Sequence, residues 1–295
     1  MQELYPYDAD TTTLQPARNA PAIARLTVLT FNCWGLPVPI PGLRRRLRAI
    51  GRALAESDID IACLQEVGRW RHLPLLQHNG VWPHTVAVTH PYHPKGGLVT
   101  LARRPVIETT YRPFRERGRA ASLHATEWYQ SKGVLRATAL IGGQRVVIFN
   151  THLAANYNAR WGRNDPYARV ERAQLRELAD EINAVPRDML VVVAGDFNVP
   201  RHSWLYDEFC GATGMIDPLY DSSEPTYRPL PGVPVRAAVA LDHVLIRVPP
   251  GARMRLSPDL CFREPVLLEH GRAGYLSDHI GVRTTIEWHC DADQL

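Results

Sequence analysis

Two rhythms of apolar and polar positions run along the chain. Residues 25–32, RLTVLTFN, are an apolar run that ends on an amide. The segment 43–56 instead places Leu43, Leu47, Ile50 and Leu54 at i, i+4, i+7 and i+11, one face of a helix. Extended over the chain, the pattern predicts strands at 25–32, 58–67, 84–90, 97–103, 105–112, 133–141, 145–151, 189–198, 238–248 and 279–288. A second helix is predicted over 166–185, with Ala168, Leu175, Leu178 and Ile182 on its buried stripe. MLVVVAGDFN, at 189–198, is apolar on both faces, as expected of a strand covered by helices. Residues 1–24 are polar and rich in Pro and Ala, which predicts an arm ahead of a single catalytic domain over 25–295. The Pro-rich stretch 223–234, EPTYRPLPGVPV, reads as a long loop inside that domain. One α/β domain with two stacked sheets accounts for the whole pattern.

Most of these strands end on a polar residue. Asn32 closes the first, Glu66 closes IACLQE, and Asn150 and His152 close VVIFNTH. Asp196 and Asn198 close VVVAGDFN, Asp242 interrupts VALDHVLI, and Ser277, Asp278 and His279 precede HIGVRTTI. Each alone has an ordinary explanation: Asn32 as a turn residue, Asp196 as a cap, His152 as a core histidine. Together they describe a rim, because strand ends hold side chains rigidly at the edge of a sheet. Asn32, Glu66 and Asp196 are hard oxygen donors of the kind that suits Mg²⁺, with Mn²⁺ or Co²⁺ able to substitute. They are the wrong donors for zinc. His279 with Asp242 makes an imidazole–carboxylate pair in which the carboxylate sets the tautomer and raises basicity. His152, Asn150 and Asn198 add donors for phosphoryl oxygens as charge builds on them. A hard metal, an oriented base and neutral donors describe hydrolysis of a phosphoester by in-line attack of water.

Composition narrows this only slightly. The formal charge of +4 and pI near 8.9 suit an anionic substrate or surface and are too weak to indicate nucleic acid. The run RRRLR at 44–48 falls opposite the apolar stripe of its helix, so its arginines are expected in solvent. Five scattered cysteines without a CxxC pair read as buried thiols. No run of 18 apolar residues and no leader sequence is seen, so a cytoplasmic chain is expected, or a secreted one if a leader has been removed.

FNCWG, LQEV, NTHL, GDFN and SDH, in this order between residues 31 and 279, resemble the endonuclease/exonuclease/phosphatase superfamily. That resemblance implies a four-layered α/β sandwich, two packed mixed β-sheets flanked by helices, and Mg²⁺-dependent cleavage of phosphoesters. It assigns metal binding to Glu66 and Asn32, water positioning to Asp196 and Asn198, and catalysis to His152 and His279, with Asp242 orienting. The FNCWGLP turn, HPKGG at 93–97, SKGVLRA at 131–137 and the helix after NTHLAANYN are similar to the neutral sphingomyelinase branch. There the expected reaction is of the phospholipase C type, releasing ceramide and phosphocholine, with a phospholipid at a membrane surface as partner. A monomer without a stable nucleic-acid partner is expected. Lys95 of the Lys-Gly-Gly loop is a candidate for substrate binding, as are Tyr157, Trp161 and Tyr92, whose rings could cage a choline headgroup. LPVPIPG (36–42) and EWYQSK (127–132) are candidates for dipping into an interface. A nuclease of the same superfamily, or a lipid-binding module without activity, are the competing readings.

Overall fold

The helices and strands sort by which faces they bury. In chain order they are β1 (Ile23–Gly35), α1 (Leu43–Ala55), β2 (Ile61–Val67), α2 (Leu73–Gln77), β3 (His84–Val86), β4 (Val99–Ala102) and β5 (Val106–Pro113). There follow β6 (Gly133–Ile141), β7 (Gln144–His152), α3 (Pro166–Asn183), β8 (Leu190–Asp196) and α4 (Trp204–Thr213). The chain continues through β9 (Asp242–Arg247), β10 (Met254–Cys261), β11 (Val266–Leu268), β12 (Arg272–Gly274) and β13 (Gly281–His289). This computed structural model describes residues 23–36, 40, 42–78, 80–118, 131–229, 238–268 and 271–289. Six strands form one mixed sheet in the order β10-β13-β1-β2-β4-β3, and five form another in the order β5-β6-β7-β8-β9.

Three apolar layers hold the sandwich together. Leu26, Val28, Ile61, Ile148, Val192, Ile246, Val282 and Ile286 meet between the two sheets. Leu47, Ile50 and Leu54 of α1 cover the outer face of the six-stranded sheet, against Leu29, Phe31 and Leu64. Ala168, Leu175, Leu178 and Ile182 of α3 cover the five-stranded sheet, against Phe149, Val191 and Val193. The stacking order is helix, sheet, sheet, helix, the four-layered sandwich expected from the sequence. Strands β1, β2, β7 and β8 are buried on both faces, which explains their continuous apolar runs. Asp165 starts α3 by accepting from Tyr167 N (2.9 Å) and Ala168 N (3.3 Å), with Pro166 in the first turn.

Several expectations are corrected. Strand β1 begins at Ile23, paired with His289, two residues inside the segment assigned to an arm; residues 1–22 lie outside the described residues. The strand placed at 84–90 ends at Val86. Helix α4 and the edge strand β10 had no counterpart in the sequence reading. Pro258 lies within β10, where only an edge strand tolerates it. Arg46 is not in solvent: it is 5% exposed and donates to the carbonyls of Cys33 (2.6 Å), Leu276 (2.8 Å) and Trp34. Cys33 and Cys63 are buried free thiols, whereas Cys210 and Cys261 are partly exposed.

Topology puts the polar strand termini at one end. Strands β1 and β2 run parallel, as do β7 and β8, so their C-termini coincide. Strands β9 and β13 run antiparallel to their neighbours and contribute their N-terminal ends. In register, His152 lies opposite Asp196, and Asp196 opposite Asp242. The register needs a bare backbone at Gly195, where a Cβ would lie 2.3 Å from the Thr151 carbonyl oxygen. Gly195→Ala is therefore expected to lower the unfolding free energy by about 1–3 kcal/mol through overpacking. Activity should fall with it, because Asp196 must move; a chemical denaturation curve superimposable on the parent's would refute the close approach.

Candidate active site

The centre of the cluster is the Asp196 carboxylate, 1% exposed at the end of β8. Its Oδ1 accepts from Asn198 N at 3.0 Å, which turns the chain back on itself. Its Oδ2 accepts from Asn32 Nδ2 at 2.9 Å across the two sheets, and faces His152 Nε2 at 3.4 Å and His279 Nε2 at 3.7 Å. On the far side of His279, Nδ1 donates to Asp242 Oδ2 at 2.9 Å. Asp242, His279 and Asp196 thus form a buried carboxylate–imidazole–carboxylate series, with one ligand atom of each within 4.8 Å of the others.

Charge distinguishes the two histidines. Burial works against the imidazolium of His279, but Asp242 and then Asp196 outweigh it and hold the group well above its usual value. His152 is pushed down to about 3 by burial and then by the Lys132 ammonium, so it is neutral. Lys132 is 5% exposed and donates to His152 Nε2 at 3.0 Å and to Leu153 O at 2.8 Å. Burial works against the Asp196 carboxylate, but the His279 charge, the Asn32 hydrogen bond and the Lys132 ammonium outweigh it and hold the group low.

Glu66 completes the rim from β2. The residue is partly exposed, yet its Oε2 is sealed from solvent and has no hydrogen-bond donor among the described residues, while Oε1 accepts from Asn32 Nδ2 at 3.0 Å. Burial and then the Asp278 charge push its carboxyl up to about 7. A buried oxygen without a donor, in a field already crowded with negative charge, is a place for a hard cation. Glu66 Oε2 would anchor such an ion, with Asp278 adding charge. Strain accompanies the site: Trp34 (φ 47°), Glu66 (φ 56°) and Asn198 (φ 53°) all sit in the left-handed region at strand ends. Gly97, with φ 67°, packs its bare Cα beneath Glu66; a Cβ there would lie 3.4 Å from Glu66 Cα. The HPKGG motif thus forms the turn that supports Glu66 from behind, and its Lys95 Nζ lies over the Tyr111 ring, 5.3 Å from the centroid.

The structure brings together Asn32, Glu66, His152, Asp196, Asn198, Asp242 and His279, and separates the other candidates from them. Asn32 aims its amide nitrogen at both carboxylates while its Oδ1 accepts from Trp34 N at 2.9 Å, so it links Glu66 to Asp196 rather than offering its oxygen beside Glu66. Asn150 is fully buried between the sheets. Its Oδ1 accepts from Gln65 Nε2, and its Nδ2 donates to Leu64 O, Val99 O and Thr100 Oγ1, leaving it no donor for a phosphoryl group. Trp161 donates its indole N–H to Asn198 O at 3.0 Å and packs on the helix-side core. Tyr157 meets Tyr167 edge-on, and Tyr92 leans against His90, so the three rings have separate partners instead of one cage. Ile40 packs against the α1-side core, and Trp128 and Tyr129 lie outside the described residues.

Sequence reasoning passed over Lys132, Arg46 and Thr226. SKGVLRA contained Lys132, but a lysine preceding a strand carries no signal that it will be buried beside a histidine. Arg46 clamps the turn after Asn32 to the loop before His279, and its position opposite an apolar stripe concealed this.

A four-layered sandwich with acidic groups and imidazoles gathered at one end defines the class. The chain belongs to the Endonuclease/Exonuclease/phosphatase family, whose model matches residues 29–279. It is 32% identical over 179 residues to an inositol phosphosphingolipids phospholipase C of Schizosaccharomyces pombe, covering 59% of this chain and 41% of that protein. It is 26% identical over 183 residues to sphingomyelin phosphodiesterase 2 of Homo sapiens, again 59% of this chain and 41% of the relative. The matches therefore span about two fifths of the length of these curated relatives. Among solved structures, sphingomyelinase C from Streptomyces griseocarneus aligns with a TM-score of 0.67 at 22% identity, over 88% of this chain and 99% of the other. Within the family, the chain is similar to proteins of the sphingomyelinase-like branch.

Proposed function

We propose that this chain is a Mg²⁺-dependent phosphodiesterase of the phospholipase C type that cleaves sphingomyelin, or a closely related phosphosphingolipid, to ceramide and a phosphorylated headgroup. The observation that carries the reading is the Asp196 carboxylate held between two buried histidines of opposite character, beside a glutamate oxygen that has no donor among the described residues. A divalent cation on Glu66 would polarise a phosphoryl oxygen and lower the proton affinity of His279. His279 Nε2, set by the Asp242 bond to Nδ1, takes the proton of the attacking water, and Asp196 aligns that water. Neutral His152 and the Lys132 ammonium stand on the other flank, where charge develops on the phosphoryl group and the leaving alkoxide. Among the described residues no helix is long and apolar enough to cross a membrane, and the proposed partner is a lipid surface met peripherally by a monomer.

A substrate panel tests this. Sphingomyelin, inositol phosphoceramide, phosphatidylcholine, a lysophospholipid and supercoiled plasmid are each incubated with Mg²⁺ and with EDTA. Release of the phosphorylated headgroup from a sphingolipid, in Mg²⁺ alone, is expected, with negligible nicking of DNA. Efficient DNA cleavage that falls steeply with salt, without lipid turnover, would replace the reading with a nuclease.

A further inference from the structure

The Pro-rich loop that reads from sequence as a connector carries three consecutive residues, Thr226, Tyr227 and Arg228, that bind the two halves of the His279–Asp242 pair to each other. Thr226 is fully buried. Its Oγ1 accepts from Leu241 N and Asp242 N, both at 2.9 Å, and lies 2.6 Å from Asp242 Oδ2. A hydroxyl has two lone pairs and one proton. Both lone pairs face backbone N–H donors, so its proton has one destination, the Asp242 carboxylate. Oδ2 then receives two donors, Thr226 Oγ1 and His279 Nδ1.

The same segment holds the loop that bears His279. Thr226 O accepts from Ile280 N at 2.7 Å, and Arg228 N donates to Asp278 O at 2.7 Å. The Arg228 guanidinium donates through Nη1 to Ser277 O (3.3 Å) and His279 O (3.2 Å). Tyr227 forms a bridge with His279, and its ring lies 5.0 Å from the imidazole at 47°. Residue by residue, the segment alternates contacts to the carboxylate, to the imidazole and to the backbone on either side of it.

We propose that Thr226 is a positioning residue for the phosphodiesterase reaction: its hydroxyl fixes the Asp242 carboxylate, and through it the ring orientation and Nδ1–H tautomer of His279, while Tyr227 and Arg228 hold the His279 loop in register. This rests on the proposed function above only for its kinetic consequence. The hydrogen-bond geometry is independent of what the substrate is. Threonine suits the role because its methyl group restricts χ1, so the hydroxyl does not wander between partners.

The experiment uses the full chain with Mg²⁺ and sphingomyelin in mixed micelles. Thr226→Val should lower kcat about 10–100-fold, the scale seen when a partner that orients a reacting side chain is removed, with KM nearly unchanged. Thr226→Ser, which keeps the hydroxyl, should restore most of that loss. In an Asp242→Ala background, which removes the acceptor that Thr226 orients, Thr226→Val should cost little more, because both changes act on one interaction. Full multiplication of the two losses, a serine variant as poor as the valine variant, or an unchanged kcat in Thr226→Val would each overturn the proposal. The low-field proton resonance of His279 Nδ1–H gives a readout without substrate. It should move in Thr226→Val and stay in place in Thr226→Ser. If the parent hydrolyses no phosphosphingolipid, the functional reading fails and this resonance alone decides the clamp; a signal unmoved by Thr226→Val overturns it. Should the valine variant not fold, the serine variant decides: a displaced resonance there refutes the assignment to the hydroxyl.

Discussion

Glu66→Gln is expected to remove cation-dependent turnover, with a loss on the order of 10³-fold or more, corresponding to the several kcal/mol that a Lewis-acid centre supplies. It should also change how stability depends on pH when no cation is present. The folded carboxyl is raised from 4.5 to about 7 by burial and then by Asp278. A group raised in this way contributes stability that is fully present below pH 4.5 and is lost as pH climbs through about 7. The loss across that window is on the order of 3 kcal/mol. Glutamine does not titrate and still offers Asn32 Nδ2 an acceptor, though its amide nitrogen then takes the place of the unpaired Oε2. That placement adds a cost that does not vary with pH. The quantity to measure is therefore the difference in unfolding free energy between variant and parent, in EDTA, at pH 4.5 and at pH 8. It should shift in favour of the variant by on the order of 3 kcal/mol. Added Mg²⁺ should then stabilise the parent at pH 8 and leave the variant unmoved. A difference that is flat with pH would mean that Glu66 is not held protonated, and the case for a cation on its Oε2 would go with it.

The layers were legible because burial on both faces leaves an unbroken apolar run, as in LVVVAGD, and burial on one face leaves a helical stripe, as in α1 and α3. The polar ends of those runs were legible for the same reason: a carboxylate closing a fully buried strand has few structural explanations. What could not be read was direction. Asn150 and His152 are two residues apart on β7, with side chains on the same face of the sheet. Asn150 lies deeper between the sheets, where Gln65 and Thr100 occupy it, and only His152 reaches the rim. No spacing rule sets how deep the rim lies. Arg46 was misplaced because the outer face of α1 is not all solvent. The turn after Asn32 and the loop before His279 both close over it and present their carbonyls. Thr226 was invisible for a different reason. Its importance comes from three partners 15 and 16 residues away in sequence, in a loop whose prolines suggested only a connection.

His279→Ala should reduce kcat about 10²–10⁴-fold, the range for a positioned general base, with far less effect on the thermal midpoint. Asp242→Asn discriminates more sharply because it keeps the shape and removes the charge. With its amide oxygen at the Oδ2 position, asparagine still accepts from both Thr226 Oγ1 and His279 Nδ1, and its nitrogen falls where Oδ1 has no partner among the described residues. Ring orientation is preserved, and what disappears is the largest of the interactions that raise His279. A base must be deprotonated to act, so activity falls as pH drops below its pKa. Without the Asp242 charge that pKa is lower, and the acidic limb of the pH–rate profile should move to lower pH. The plateau should also fall, because a weaker base takes the water proton less readily, yet by less than in His279→Ala. The two effects have opposite directions on the acid side, which no general loss of folding reproduces. If Asp242→Asn leaves both limb and plateau where they were, the pair is a structural hydrogen bond and the proton of the attacking water goes elsewhere. Asp196, 3.7 Å from the same imidazole, would then be the acceptor to test next.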